Sequence, residues 1–434
     1  MSSNPAAFDM TTSLRPTGIG MAFAVGLFFS LRVIVGFLAV RVLGFEARQG
    51  AELNVSLDLI LLILVCFYSL GEVRQRLGPV LRLWSVRWVL IFLAFSGCSL
   101  AWSSTVSVTA SGAYWFAMAG DVAMVLLLIR GAVTRDVASS MMKGFVWGAC
   151  CIALVAWILP ASYDLRLGDE EFFNANQIGF ECAFAFFMAQ YLMRIKEGKW
   201  TFAAVILAVT LLRSLSKTTI VAFALSQSYL LIHDRSISRK TKLVCTGAVV
   251  VVILLFWGLL ESYYDVYTNA GNQAETLTGR TAIWATVLNA SFDLPWFGHG
   301  FDSMWKVIPP FGPDRFEARH AENELLQQFY AYGLVGVAML VGLYGSLYRQ
   351  FRQLYDGPLK VLFISMLFFI FVRGLAEAEP FDLQLPLWAI VMMSVLASDV
   401  ARRSASAVTF ETQSTWDGEE ELSCQIIEVS APAN

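Results

Sequence analysis

From Ile19 to Val400 the chain is a succession of long apolar runs, interrupted once by an extended polar interval, Glu261–Glu324. Such runs cannot be hidden in a soluble globule. With 57% hydrophobic and 15% charged residues and a mean hydropathy of +0.61, the chain has too little polar surface to cover them. Crossing a hydrocarbon layer of about 30 Å takes roughly 20 residues of helix, and lipid-facing irregular backbone is excluded because its amides would lack partners. The expected fold class is therefore an all-α polytopic membrane protein with one large extracytoplasmic loop.

The runs place about twelve transmembrane cores, at Ile19–Val40, Val55–Leu70, Val86–Ala101, Ala110–Ile129, Gly144–Leu159, Asn176–Met193, Trp200–Leu212, Thr218–Ile232, Leu243–Leu260, Leu325–Leu347, Val361–Val372 and Leu383–Val400. Arg213-Ser214-Leu215-Ser216-Lys217 reads either as a tight polar turn or as a break in one long helix, and charge favours the turn. With the N-terminus in the cytoplasm, the cation-rich loops, from Arg74 and Arg76 through Arg194–Lys199 and Arg235–Lys242 to Arg349–Lys360, all fall inside. The expected organisation is a cytoplasmic segment over 1–18, helices one to nine over 19–260, an extracytoplasmic catalytic loop over 261–324, and helices ten to twelve over 325–400. A Ser-rich, then acidic tail over 401–434 reads as disordered, with both termini cytoplasmic. Ile19–Val40 reads as a retained helix, because no small-residue cleavage site follows a short apolar core.

Six of the seven cysteines lie in apolar runs and none forms a Cys-x-x-Cys pair or falls with His at ligand spacing, so neither a disulfide nor a metal site is expected. A Walker loop, a dinucleotide fingerprint and a zincin helix are absent from the sequence. No cofactor and no nucleic-acid partner are expected.

The polar groups assigned to the outer side share a chemistry. Arg213 and Lys217 sit at a helix junction, Arg280 opens a helix-like stretch over Thr281–Ala290, and Arg319 and His320 precede the helix beginning near Leu325. Arg grips phosphate through parallel charge-assisted hydrogen bonds and Lys acts as a point charge, so cations converging at the outer leaflet suit a lipid diphosphate. A helix N-terminus beside Thr281 or Glu322 adds unpaired N–H groups and a positive dipole end. Against this stands the ordinary role of interfacial cations, which is to snorkel and to orient the chain.

The order and spacing of several short pieces resemble the O-antigen ligase and O-antigen/exopolysaccharide polymerase superfamily of membrane glycosyltransferases, over about 172–390. The pieces are Phe173-Asn174-Ala175-Asn176-Gln177-Ile178-Gly179, Ser214-Leu215-Ser216-Lys217-Thr218, Thr278-Gly279-Arg280 with Trp284, Gly298-His299-Gly300, and His320-Ala321-Glu322-Asn323-Glu324 with Tyr332-Gly333-Leu334-Val335-Gly336. The resemblance implies a GT-C-like fold in the bacterial inner membrane, its site facing the periplasm or exterior. It also implies a metal-independent, inverting transfer of a glycan from an undecaprenyl-diphosphate carrier to a lipid-linked glycan or a lipid A-core hydroxyl. By that resemblance Lys217 and Arg280 hold the diphosphate and His320 takes the proton from the attacking hydroxyl.

Two departures bear on these roles. Lys217 stands where the family commonly has Arg, so Arg213 is a second candidate for that contact, with Arg319 a further diphosphate ligand. Glu322 stands where many relatives have His directly before Asn323, which leaves two assignments: His320 as base, or Glu322 as base with His320 on phosphate. Asn176, Glu181, Trp284, Asn323 and Arg373 are the candidates for substrate contact, and Arg373, Glu377 and Glu379 form a charged outer loop. Arg32 and Asp121, inside apolar runs at similar depths, read as a structural ion pair rather than a substrate path. A lipid-linked oligosaccharide flippase is the competing reading, weakened by unlike halves and by charges gathered in one loop. An O-linked protein oligosaccharyltransferase of the same superfamily would differ only in its acceptor.

Overall fold

Lipid or core surrounds the apolar runs, so their backbone amides must pair within the segment, and helix is what forms. The computed structural model describes residues 16–70, 77–131, 134–159, 165–169, 173–255, 258, 277–305, 307–308 and 319–403. The segment before residue 16, residues 259–276, Phe311 and Phe316, and the tail from 404 lie outside the described residues. The elements are α1 (Pro16–Arg41), α2 (Ala47–Leu70), α3 (Gly78–Leu81), α4 (Trp84–Ser99), α5 (Val108–Gly131), α6 (Thr134–Ile158), α7 (Ala175–Arg194), α8 (Thr201–Arg213), α9 (Lys217–His233), α10 (Arg239–Leu255), α11 (Leu277–Ser291), α12 (Glu324–Arg352) and α13 (Pro358–Gly374), with α14 over 387–403. The described residues are otherwise without strands, apart from an isolated bridge between Asp169 and Phe173. Segments of α1, α2, α5, α6 and α12 are long and apolar enough to cross a membrane. The 13 residues of α8 are apolar but short; at 1.5 Å per residue they rise only about 20 Å.

Small residues bring the first helices together. A Cβ at Gly26 would overlap the Met141 carbonyl, and Cβ atoms at Gly144 and Gly148 would overlap the α1 backbone at Phe23 and the Ser30 side chain. Glycines four apart let α1 and α6 approach backbone to backbone, a packing that needs no hydrophobic driving force in lipid. Trp388 of α14, 2% exposed, fills the space between Phe29, Phe145 and Phe184, with ring centroids 4.6, 5.9 and 6.4 Å away. Within this bundle Arg32 of α1 pairs with Asp121 of α5 at 2.5 Å.

α8 and α9 are separate helices joined through residues 214–216, with Leu215 at a φ of 57°. The turn presses on α7 at Gly179, where a Cβ would lie 3.1 Å from both Ser214 Oγ and Ser216 Cβ.

α12 is broken at Gly333, which adopts φ 63°, ψ −154°, a region essentially confined to glycine. The backbone groups freed by the break pair with an incoming loop. Leu334 N–H donates to Pro295 O at 2.8 Å and Val335 N–H to Trp296 O at 3.3 Å, while His299 N–H and Gly300 N–H donate to Tyr330 O and Ala331 O at 3.0 and 2.8 Å. The His299 ring stacks on Tyr330 at 4.2 Å. The same loop ties to the end of α4, with Ser103 Oγ donating to Phe301 O at 2.6 Å and Ser104 N–H to His299 O at 2.9 Å. These bonds fix the loop between α11 and α12 to the broken turn of α12 and to the segment after α4.

Candidate active site

The α6–α7, α8–α9 and α13–α14 junctions meet the start of α11 and the segment before α12 at one end of the bundle. Arg280, in the first turns of α11, is the hub. Its Nη1 donates to Thr218 Oγ1 at 3.1 Å and to Ala376 O at 2.6 Å; its Nη2 donates to Glu377 Oε1 at 2.9 Å and lies 3.3 Å from Glu322 Oε2. The Arg280 side chain is only 13% exposed, so these contacts work in a medium much less polar than water.

Capping chemistry divides the two asparagines at the start of α7. Asn174 is the N-cap, accepting from Gln177 N–H at 2.9 Å. That leaves Asn176 to face the cluster, where its Nδ2 donates to Glu377 Oε1 at 3.1 Å and its Oδ1 accepts from Arg166 Nη2 at 2.7 Å and Ser216 Oγ at 2.8 Å. Glu377 Oε1 therefore takes hydrogen bonds from two different helices, and its residue is 3% exposed.

The segment before α12 presents the remaining chemistry. Asn323 caps α12 through Leu326 N–H at 3.0 Å and donates to Leu375 O at 2.8 Å, fixing this segment to the α13–α14 junction. Glu322 has a φ of 52°, an uncommon conformation for a non-glycine residue. It is held by Trp284 Nε1, which donates to its carbonyl at 3.2 Å. Its carboxylate spans two partners, Oε2 toward Arg280 at 3.3 Å and Oε1 toward His320 Nδ1 at 3.7 Å. The Glu322 backbone N–H also donates to His320 Nδ1, at 3.4 Å. A quarter of the His320 side chain reaches solvent. Crowding by protein nevertheless lowers its pKa from the usual 6.5; Glu377 and Glu379 oppose the shift, and Arg373 and Arg280 add to it. The neutral imidazole is therefore favoured, as a base requires.

The other expected residues have surroundings of their own. Arg213 turns to Leu165 O, donating at 2.8 Å. Lys217 is exposed at the first turn of α9, beside Thr218. Arg319 lies over the Trp305 ring at 5.8 Å. Arg373 is buried behind the site, its guanidinium over the Phe180 ring at 4.5 Å and bonded to Thr219, Glu379 and Gln384. Glu181 turns into the bundle and accepts from Ser30 Oγ at 3.2 Å. Trp284 meets the cluster through its indole N–H, whereas Trp305 meets Arg319. The sequence pointed to neither Glu377 as the common acceptor nor Thr218 and Arg166 as its surroundings. Glu377 was visible as one charge in an outer loop, but its partners are 97 and 201 positions away.

Residues 202–341 match the family model described as O-antigen ligase. That stretch runs from α8 to within α12 and contains Lys217, Arg280, His320 and Glu322, but neither Asn176 nor Glu377. Over 329 residues the chain is 24% identical to the exopolysaccharide production protein ExoQ of Rhizobium meliloti, covering 68% of this chain and 73% of that protein. Over 309 residues it is 25% identical to an O-antigen ligase of Pseudomonas aeruginosa, covering 67% of this chain and 72% of that one.

Proposed function

Because this chain belongs to the O-antigen ligase superfamily, we propose that it is a multi-pass glycosyltransferase that moves a glycan from an undecaprenyl-diphosphate carrier to a sugar hydroxyl in cell-surface polysaccharide synthesis. The observation that carries this reading is the continuous contact from Arg280 through Glu322 to His320. A leaving diphosphate needs a fixed cation and an attacking hydroxyl needs a base, and these residues supply both a few ångströms apart. Arg280 holds the donor diphosphate beside the N-terminus of α9, with Lys217 as a further charge and Arg213 and Arg319 at the rim. His320 removes the proton from the acceptor hydroxyl as its oxygen bonds to the anomeric carbon. The bond from that carbon to the phosphate oxygen breaks with inversion, its electron pair passing to the diphosphate under the Arg280 guanidinium. Asn176, Asn323 and Trp284 frame the sugar side, and Arg373 supports it from behind. No metal takes part, since side-chain cations carry the charge.

Twelve crossings, with both termini cytoplasmic and this cluster on the periplasmic or exterior side, complete the proposal. The 261–324 segment is then the extracytoplasmic loop. Polymerisation and ligation to lipid A-core share this chemistry and differ in acceptor. The deciding experiment reconstitutes the purified protein in liposomes with a labelled polyprenyl-diphosphate repeat unit, with and without lipid A-core. A ladder without added acceptor means polymerase, and a shift that requires lipid A-core means ligase. No product under either condition refutes the glycosyltransferase reading.

A further inference from the structure

The open question of which residue is the base has an answer in the geometry of Glu322. Its carboxylate lies between Arg280, 3.3 Å from Oε2, and His320 Nδ1, 3.7 Å from Oε1, and the second distance is too long for a hydrogen bond. The hydrogen bond that His320 Nδ1 does make is as an acceptor, from the Glu322 backbone N–H. A neutral imidazole that accepts at Nδ1 carries its proton on Nε2. In this arrangement Nε2 cannot accept a proton from a hydroxyl, so His320 is in the wrong tautomer to be a base through that nitrogen.

A diphosphate arriving at Arg280 changes the balance. The guanidinium is already met by two carboxylates, and an incoming anion must displace one of them. Glu377 is the less replaceable: it lies closer, at 2.9 Å, its side chain is 4% exposed, and it also accepts from Asn176. Glu322 is farther, and its side chain is 13% exposed. We infer that the donor diphosphate displaces Glu322 from Arg280, and that the released carboxylate accepts a hydrogen bond from Nδ1–H of His320, replacing the bond that Nδ1 accepted from the Glu322 backbone N–H and leaving Nε2 free to take the hydroxyl proton. Glu322 is then a positioning residue acting through His320. The base is completed only when the donor is in place. The tautomer change moves one proton from Nε2 to Nδ1 through water, with no change in net charge. This inference rests on the proposed function, which supplies the diphosphate.

The charged groups around the ring are Glu377, Glu379 and Arg373 from the α13–α14 junction, Arg280 from α11 and Glu322 from its own segment. The test uses full-length protein labelled with 15N-histidine in lipid nanodiscs and inorganic pyrophosphate as the probe. The chain has only 3 histidines, and the His320 signal is the one lost in His320→Asn. Above the His320 pKa, the expected spectrum shows Nδ1 unprotonated without pyrophosphate and protonated with it. Glu322→Gln should bind pyrophosphate without that exchange. In transfer assays Glu322→Gln should lower the donor KM, because a competitor for Arg280 has lost its charge, while kcat falls on the order of 100-fold. A residue that merely holds the loop would not tighten donor binding as it slows turnover. Pyrophosphate that binds, by 31P signal, without altering the wild-type tautomer overturns this inference alone. The same holds if Glu322→Gln makes the full exchange. Pyrophosphate that does not bind, or whose binding is indifferent to Arg280→Ala, overturns the diphosphate site itself and this inference with it.

Discussion

Glu377→Ala probes the site at its least accessible point. The substitution removes the acceptor of two hydrogen bonds, from Arg280 Nη2 at 2.9 Å and Asn176 Nδ2 at 3.1 Å, and leaves an Arg280 side chain only 13% exposed with Glu322 as its remaining carboxylate. Deleting one partner of a buried ion pair costs about 3–5 kcal/mol. Because the guanidinium keeps an anionic partner, Glu322 at 3.3 Å in the resting site and the diphosphate once the donor is bound, the expected loss is nearer ~2 kcal/mol, or about 30-fold in kcat/KM if it falls on the transition state. Glu377→Gln keeps an oxygen in place and gives up only the charge assistance, so its loss should be about fivefold. Initial rates of glycan transfer in liposomes, normalised to inserted protein, measure both. If net charge rather than placement governed the site, removing an acid would tighten donor binding and leave kcat intact. That outcome, or a Gln variant as damaged as the Ala variant, refutes the reasoning.

Other expectations follow from the same contacts. Arg280→Ala and His320→Ala should abolish transfer while the protein stays in the membrane; normal activity in both removes the site assignment. Because burial lowers the His320 pKa, the acid limb of kcat/KM should lie below 6.5, and an acid limb above pH 7 contradicts a desolvated imidazole. The same shift makes the unfolded chain the better proton binder there, so stability should fall as pH drops from 6.5 through the folded value; a melting temperature flat over that range in wild type but not in His320→Asn goes against it. Gly333→Ala places a Cβ against the Trp296 carbonyl in a backbone region closed to alanine. It should lower thermal stability by about 3 kcal/mol or more and loosen protease protection of the 295–302 loop. Transfer should continue in excess EDTA, and loss of activity restored by a divalent cation speaks against side-chain cations as the only charge.

The helices could be read from apolar run length because in lipid each helix satisfies its own backbone, and the positions of α1, α5 and α12 follow directly from Ile19–Val40, Ala110–Ile129 and Leu325–Leu347. Arg280, His320 and Glu322 could be singled out because Arg, His and Glu are scarce in such a chain. Their partnerships could not. Glu377 meets Arg280 across 97 positions and Asn176 across 201, and nothing local marks such a meeting. Glu181, a candidate for substrate contact in the sequence, has Ser30 of α1 as a partner, 151 positions away. The break at Gly333 was present in the sequence as a glycine among apolar residues. That it needs residues 295–300 as backbone partners appears only in three dimensions.

The site's parts leave the ribosome in a fixed order, Asn176 first, then Thr218, Arg280, His320 and Glu322, with Glu377 last. Until the α13–α14 junction is in place, Arg280 has no deep carboxylate to orient it and Asn176 no common partner with it. Under the proposed function, a nascent chain should therefore be inert toward carrier-linked sugars until nearly its whole length has been inserted.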